Sequence, residues 1–395
     1  MAAYHTKGPA TEAYITGIGQ SEVGVRIERS PLGITMDAIR QAVADAGLTF
    51  DQIDGVATYP GRMAGYLGFS PIGADEVIEV CGIKARWHMG GGELPAQLSA
   101  IAEAANAVKT GQARHVICFR TVYEAAAMAR PDEFPALRRE TVDGNSQWSA
   151  PFFAISAATW VAQYASRHMK RYGMTREQLA QIALNANRNA LLNPNARNIT
   201  KKPLTLDDYM EARLIATPFC LYDCDRFSDA STAVVVSAGD ALDEIIATPI
   251  RIAATAGKVD RYSWDQAEWV AAYATGPDLW AKTDYTVKDV DTVQFYDGFA
   301  FFPITWLEGL GFCGVGEGHR FIEGGHRIAR DGELPLNTAG GQLGAGRLHG
   351  FGFAYEAVAQ LRKEAGERQI PGDPTVAVAT SGGGPLAAAL LLARD

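Results

Sequence analysis

The 395-residue sequence predicts an α/β protein made of two related β-α-β-α-β halves with an insertion between them. Three observations carry this. The segment Ala46 to Val56, with Thr49-Phe50-Asp51-Gln52-Ile53-Asp54 at its centre, has an echo at Thr283 to Val293, where the centre reads Thr286-Val287-Lys288-Asp289-Val290-Asp291. Both read as a helix end, a turn, and an aspartate leading into a strand. Each follows a helical stretch, Ile34 to Asp45 and Ala267 to Lys282, and each leads to a Gly-Gly-x-Leu motif, Gly91 to Leu94 and Gly340 to Leu343. After each motif come an apolar helix, Ala96 to Val108 and Phe353 to Arg362, and a β-rich run, His115 to Phe119 and Thr375 to Ala379. Alternating strands and helices predict mainly parallel sheets covered on both faces. Two such layers are expected about a pseudo-twofold axis.

The stretch 121–216 interrupts the pattern with Pro131, Pro135, Pro151, Pro194 and Pro203. The predicted organisation is therefore a first half over 1–120 plus 217–248, an inserted loop domain over 121–216, and a second half over 249–395. Inside the insertion, Thr175 and Gln178 form a capping box ahead of Leu179, Ile182, Ala183 and Ala186 at helical spacing, and Asn193-Pro194 ends that helix. The run Ala233 to Val236 returns the chain to the first sheet. Two apolar segments, Trp148 to Ala162 and Pro385 to Ala393, are too short to span a membrane and read as buried elements.

A formal charge of -9 argues against a general nucleic-acid surface. The polar start, Met1 to Ala13, lacks a secretory pattern, so a cytoplasmic protein is expected. Five cysteines, at 81, 118, 220, 224 and 313, make no disulfide framework. Cys220 and Cys224 are the close pair; without a second Cys/His pair at ligand spacing they read as small hydrophobes, and no metal site is expected.

Four Gly-rich or aromatic segments stand out: Gly90 to Leu94, Tyr296-Asp297-Gly298-Phe299, Gly340 to Gly350 with Arg347-Leu348-His349 near its end, and Thr380-Ser381-Gly382-Gly383-Gly384. With Arg171 to Glu177, Asp223-Cys224-Asp225 and Asp229 to Ala233, their order resembles the thiolase superfamily over essentially the whole chain. That resemblance implies a five-layer α-β-α-β-α arrangement with an inserted loop domain. Thiolases use two cysteines, and both of their places lack one here. Cys81 and Cys118 flank the first Gly loop and are poorly placed to substitute. The pattern is more similar to the thiolase-like lipid-transfer-type aldolases, which cleave steroid side-chain 3-hydroxyacyl-CoA thioesters. In that family the tyrosine of the Tyr-Asp-x-Phe motif is proposed as the base, which carries over to Tyr296; a second family tyrosine falls on Arg347, a departure from the pattern.

Retro-aldol cleavage needs a base for the β-hydroxyl, a stabiliser for the enolate oxygen and a proton source for the α-carbon. A tyrosine with an ordinary pKa near ~10 needs a neighbouring cation to act as a base at neutral pH, and Arg347 and His349 are the candidates. Tyr296 also reads as a strand aromatic between Phe295 and Phe299. Asp297 either orients Tyr296 or shapes an Asp-Gly turn. Arg347 alternatively binds a substrate carbonyl or a phosphate, and His88 ranks below His349. Backbone N–H groups at Gly91, Gly92 and Gly383 are candidate oxyanion donors, although such glycines also serve tight turns. For coenzyme A, the basic run with Arg167, Lys170 and Arg171 is the candidate phosphate anchor, or else a solvated helix face.

Lys258 and Lys282 lie outside the site loops, which leaves no Schiff-base lysine, and metal-free acid–base chemistry is the reading that remains. The residues supply only non-covalent, tyrosine-based chemistry on a thioester; the resemblance implies an aldolase that releases acetyl-CoA or propionyl-CoA and a steroid ketone or aldehyde, with no cofactor beyond the coenzyme A of its substrate. The resemblance implies a homodimer and a small OB-fold, zinc-ribbon partner in a heterotetramer. Two other classes stay open: a Cys-less acyltransferase component of a complex, and a non-catalytic acyl-CoA or lipid carrier.

Overall fold

The structure is a computed structural model that describes residues 12–63, 68–91, 94–130, 132–133, 146–197, 201–259 and 270–395. Gly92, Pro131, Pro135, 267–269 and most of the polar start lie outside the described residues.

The first half contributes strands β1 (Ala13–Gln20), β2 (Gly55–Thr58), β3 (Trp87–Gly90) and β4 (His115–Tyr123). A small hairpin, β5 (Leu214–Ala216) and β6 (Phe219–Cys220), precedes the returning strand β7 (Asp229–Ala238). The second half supplies β8 (Ile250–Val259), β9 (Thr292–Gln294), β10 (Val376–Gly382) and β11 (Leu386–Ala393). Nine strands form one sheet in the order β3-β2-β4-β7-β1-β8-β11-β10-β9. The two halves meet where β1 pairs with β8 through Tyr14–Arg251 and Ile15–Ile250.

The helices Ser99–Lys109 and Phe351–Arg362 each pack on strands of both halves, so they form the central layer. Helix Pro31–Ala46 covers the first half from outside, and helix Ala271–Trp280, backed by Phe301–Leu310, covers the second. The result is the expected five-layer order. Close approach has a residue-level cause: a Cβ at Gly17 of β1 would lie 2.0 Å from the Ala42 carbonyl oxygen, so glycine lets helix Pro31–Ala46 settle onto the strand.

The repeat is visible down to its hydrogen bonds. Thr49 and Thr286 each open a single 3₁₀ turn through a capping box. The Asp54 carboxylate then accepts the backbone N–H groups of Arg114 (2.7 Å) and His115 (3.0 Å) at the start of β4. Asp291 does the same for Thr375 (2.7 Å) and Val376 (2.9 Å) at the start of β10. Each aspartate pins a later strand of its half, β4 or β10, beside its own.

Two expectations need correction. The sheet is mixed rather than mainly parallel: β2–β3, β2–β4 and β9–β10 are parallel, while β1–β7, β4–β7, β1–β8, β8–β11 and β10–β11 are antiparallel. The cause is the closing strand of each half, since β7 returns after the insertion and β11 follows β10 by a tight turn. Segment Trp148 to Ala162 is also not a buried element, with Phe152 82% and Phe153 85% exposed. Helix Ala157–Tyr172 buries its small residues Ala158, Val161, Ala162 and Ala165, which leaves the large aromatics facing outward. Pro385 to Ala393 is β11 and its neighbouring turn, and β11 is almost entirely buried as expected.

Candidate active site

Parallel strands create a crevice at their carboxyl ends, and here β9 stops at Gln294 opposite Ala379 while β10 runs on to Gly382. Just past β9, the Phe295 N–H donates to Asn337 Oδ1 at 2.7 Å and the Tyr296 N–H to Thr380 Oγ1 at 2.9 Å. The following turn is tied to the chain before β7. Asp225 N–H donates to the Gly298 carbonyl (3.1 Å), Ala300 N–H donates to the Asp223 carbonyl (2.9 Å), and Cys224 bridges to Phe299. Tyr296 and Asp225 are thereby held on one cavity of 690 Å³. Its polar wall also includes Arg347, Gln97 and Tyr59; its apolar wall includes Trp160, Val161, Ile215, Phe227, Phe299 and Phe302.

The Tyr296 ring is buried against Phe302 and Phe353, with centroids 5.9 and 6.2 Å away. Burial, and then the Asp225 carboxylate, raise its pKa; the opposing pull of Arg347 and Gln342 is smaller. The phenol is therefore held protonated, the reverse of what a resting base at neutral pH requires.

Arg347 sits in the loop after the short helix Gly341–Gly344, where Ser228 Oγ donates to its carbonyl at 3.1 Å. Its Nε lies 3.5 Å from Asp225 Oδ2 and 3.6 Å from Glu124 Oε2. Burial alone would lower its pKa, but Asp225 and Glu124 outweigh that and hold it charged. Its guanidinium carbon is 5.2 Å from the Phe227 ring centre. Asp225 in turn is pushed up to about 6 by burial, with Arg347 pulling the other way.

His349 does not supply the second positive charge expected of it. Burial first, then Arg120 and Arg347, hold its pKa well below the usual value. Arg120 Nη2 donates to His349 Nδ1 at 2.9 Å, so the imidazole proton belongs on Nε2. Gln97 Nε2 lies 3.2 Å from that nitrogen, and with the proton there the carboxamide is turned so that its otherwise unpartnered Oε1 accepts it. Fully buried Arg120 also donates to the carbonyls of Thr121 (2.8 Å) and Phe69 (2.6 Å), and burial lowers its pKa to about 9.

Asp297 shapes the turn. One oxygen accepts the Gln342 N–H at 2.7 Å, and Gln342 Oε1 accepts the His349 N–H at 2.8 Å, which links the two motifs. Burial pushes the Asp297 carboxyl up to about 7 against the pull of hydrogen bonds from Gln342 and Asn337. A Cβ on Gly341, whose φ is 58°, would lie 2.0 Å from Asp297 Oδ2, so this loop requires glycine there.

Among the candidate oxyanion donors, Gly383 is not available: its N–H donates to the Leu386 carbonyl at 2.8 Å to close the β10–β11 turn. Gly382 and Gly384 line the cavity instead. Gly91 is half-buried just beyond β3 and is not among the lining residues. Arg167 and Arg171 line an adjoining 280 Å³ cavity that shares Tyr164 with the larger one, while the exposed Lys170 lines neither. His88 is exposed on β3.

Cys224 is on the cavity wall, but burial and then Asp223 and Asp225 push its thiol up to about 12, so it is not a nucleophile at neutral pH. Cys220 packs as a small buried hydrophobe beside Tyr209. Among the described residues no group of three His, Cys, Asp or Glu side chains is placed to hold a metal ion, and no helix is long and apolar enough to cross a membrane.

Five polar residues of this site were not anticipated: Arg120, Glu124, Gln97, Gln342 and Asp225. Arg120 carried a signal, since an arginine in the otherwise apolar run of β4 needs a buried partner. Asp225 stood in a noted motif whose two aspartates look equivalent in sequence.

Residues 260–393 match the thiolase C-terminal domain-like family. A steroid side-chain-cleaving aldolase of Thermomonospora curvata is 31% identical over 397 residues, covering 97% of this chain and 98% of that protein. The chain belongs to this thiolase-like aldolase family. A 17-hydroxy-3-oxo-4-pregnene-20-carboxyl-CoA lyase of Mycobacterium tuberculosis is 33% identical, over 89% of this chain and 92% of its own. The solved Ltp2-ChsH2(DUF35) aldolase superposes with a TM-score of 0.85 at 29% identity, over 98% of this chain and 99% of that one. A cavity with a tyrosine, an arginine and an aspartate on its wall is thus found on a chain with relatives named as a steroid side-chain-cleaving aldolase and a carboxyl-CoA lyase.

Proposed function

We propose that the protein is an aldolase that cleaves the side chain of a steroid 3-hydroxyacyl-CoA thioester, releasing acetyl-CoA or propionyl-CoA and a steroid ketone or aldehyde. The observation that carries this is a 690 Å³ cavity with Tyr296, Asp225 and Arg347 on one wall, aromatics on the other, and a single cysteine held as a thiol. Such a wall moves protons and attracts a developing enolate oxygen without forming an acyl-enzyme. Tyr296 is the proton-transfer phenol, and the Arg347 guanidinium is the charge nearest the enolate. The aromatic wall takes the steroid body.

The substrate's coenzyme A is the only cofactor this chemistry needs. Its phosphates are assigned to Arg167 and Arg171, because their cavity adjoins the main one through Tyr164. For partners, the similarity to the solved Ltp2-ChsH2(DUF35) aldolase supports a partner protein, which we propose is a small OB-fold, zinc-ribbon chain bound to a homodimer. Strand β3 is one of the two ends of the sheet among the described residues, which suits pairing with a second copy. A cytoplasmic location fits an acyl-CoA substrate.

The reading is tested by mass spectrometry after incubation with a panel of 3-hydroxyacyl-CoA steroids, alone and with the partner protein. A short acyl-CoA with its matching carbonyl product is expected. Intact substrate across the panel, despite measurable binding, overturns it.

A further inference from the structure

We infer that Asp225 is the catalytic residue that accepts the β-hydroxyl proton, with the Tyr296 phenol as the donor that returns a proton to the α-carbon. This rests on the retro-aldol reading and names the base within it.

The two aspartates of Asp223-Cys224-Asp225 have opposite surroundings. Asp223 accepts the Tyr209 hydroxyl at 2.7 and 2.8 Å and the Cys220 N–H at 2.7 Å, and does not line the cavity. Asp225 does line it. Among the described residues its carboxylate accepts no hydrogen bond, and its one ion pair is to Arg347 Nε at 3.5 Å. A half-buried carboxylate on a cavity wall that accepts no hydrogen bond has lone pairs for a substrate hydroxyl. Its position is fixed, because the bond from its N–H to the Gly298 carbonyl holds it to the turn that carries Tyr296.

The two groups differ in acidity as an acid–base pair requires. Asp225, near 6, is ionised at neutral pH, where the phenol stays protonated. Two neighbouring groups with pKa values pushed apart make an acid and a base. The charged and titratable groups around Asp225 are Arg347, Glu124, Tyr296, Cys224, Asp297 and Arg226.

The step balances. The hydroxyl proton passes to Asp225, and the oxygen's electron pair becomes the new C=O as the α–β carbon bond breaks. The released pair forms the thioester enolate beside Arg347. Tyr296 gives its proton to the α-carbon, and the proton on Asp225 restores the phenol through water once product leaves.

The test measures kcat and KM from pH 5 to 9 for wild type, Asp225→Asn and Asp225→Glu, with thermal melts to verify folding. Wild-type kcat should rise through about pH 6. Asp225→Asn should lose ~10²–10⁴-fold in kcat with KM little changed, and its residual rate should lack that rise. Asp225→Glu should recover part of the rate together with the rise. An Asn variant within tenfold of wild type, or one that keeps the acid limb, overturns the assignment. Should Asn unfold the chain, Asp225→Ala with added formate decides: restored cleavage supports the base, and a folded variant that formate does not restore opposes it. A wild type that cleaves no substrate overturns the retro-aldol reading instead, so the two failures are distinct.

Discussion

The two walls of the cavity are built on different principles. On the polar wall and just behind it, buried Arg120 and half-buried Arg347 face buried Glu124 and half-buried Asp225, with His349 kept neutral between the arginines. Each group is held by another, so the charges balance and the geometry is narrow. The apolar wall has no such cross-bracing. It runs from Phe299 and Phe302 through Trp160 to an outer margin where Trp148 and Ile155 are 69% and 66% exposed. Charges that must be desolvated and paired fix the reacting atoms, whereas apolar contact tolerates varied shapes. Changes on the first wall should therefore alter kcat or stability, and changes on the second should alter KM.

The largest effect is expected for Tyr296→Phe. The ring still packs against Phe302 and Phe353, but the exchangeable proton is gone. Cleavage should fall ~10²–10⁴-fold, while acyl-CoA binding followed by calorimetry stays close to wild type. Unchanged kcat would show that the polar wall does not carry the chemistry.

Arg347→Met comes next and is read as stability. Removing the guanidinium leaves half-buried Asp225 without its ion pair and buried Glu124 with Arg120 as its remaining cation, and breaking a pair this little exposed costs up to about 3–5 kcal/mol. Burial already raises both carboxyls, and the substitution raises them further. A carboxyl whose folded pKa is raised contributes stability that is fully present below its unfolded value of about 4 and lost as pH rises through the folded one. The deficit against wild type in urea melts should therefore be smaller at pH 5 than at pH 8. An equal deficit at both would mean that the loss is one of packing.

The same contrast explains how much of the molecule could be read from its sequence. The repeat was legible because Thr49 and Thr286 open the same capped turn at the same distance before Asp54 and Asp291, and such local hydrogen bonds leave a local signature. Tyr296, Asp297, Arg347 and His349 were legible as a set because glycines frame them. Their protonation was not, since it depends on Arg120, Glu124 and Asp225, which are distant in sequence and meet only in the fold. Asp223 and Asp225 are two residues apart, yet only the first finds the Tyr209 hydroxyl. Segment 148–162 was misread for a related reason: apolar composition implies burial only when the periodicity gives a face to bury, and here alanines occupy that face.

On the apolar wall, Trp160→Ala should leave kcat nearly intact. The indole is 45% exposed at the cavity mouth, so its truncation removes contact area for the steroid body rather than core packing. Losing part of an aromatic contact of this kind is worth about 1.5 kcal/mol, roughly tenfold in KM. The comparison is sharpened by a short-chain 3-hydroxyacyl-CoA without rings, for which the KM change should disappear. An effect of equal size on both substrates would place Trp160 against the coenzyme A portion.

The smallest effect is expected at Phe152 and Phe153, in the exposed margin. Phe153 has a φ of 57°, in the left-handed region, and the Phe153 N–H closes the preceding turn onto the Ala150 carbonyl at 3.0 Å, so the backbone rather than either ring holds the segment. Replacing both by serine removes side chains that are more than four-fifths solvent-exposed. Stability of the isolated chain should change by no more than about 0.5 kcal/mol, as for surface substitutions elsewhere. Thermal melts of the chain alone and with the small partner protein separate two situations. No change in either leaves the margin as bare surface. A loss of several degrees in the chain alone would show that these rings are covered in solution, and the division into a braced wall and an open one would then end at Trp160.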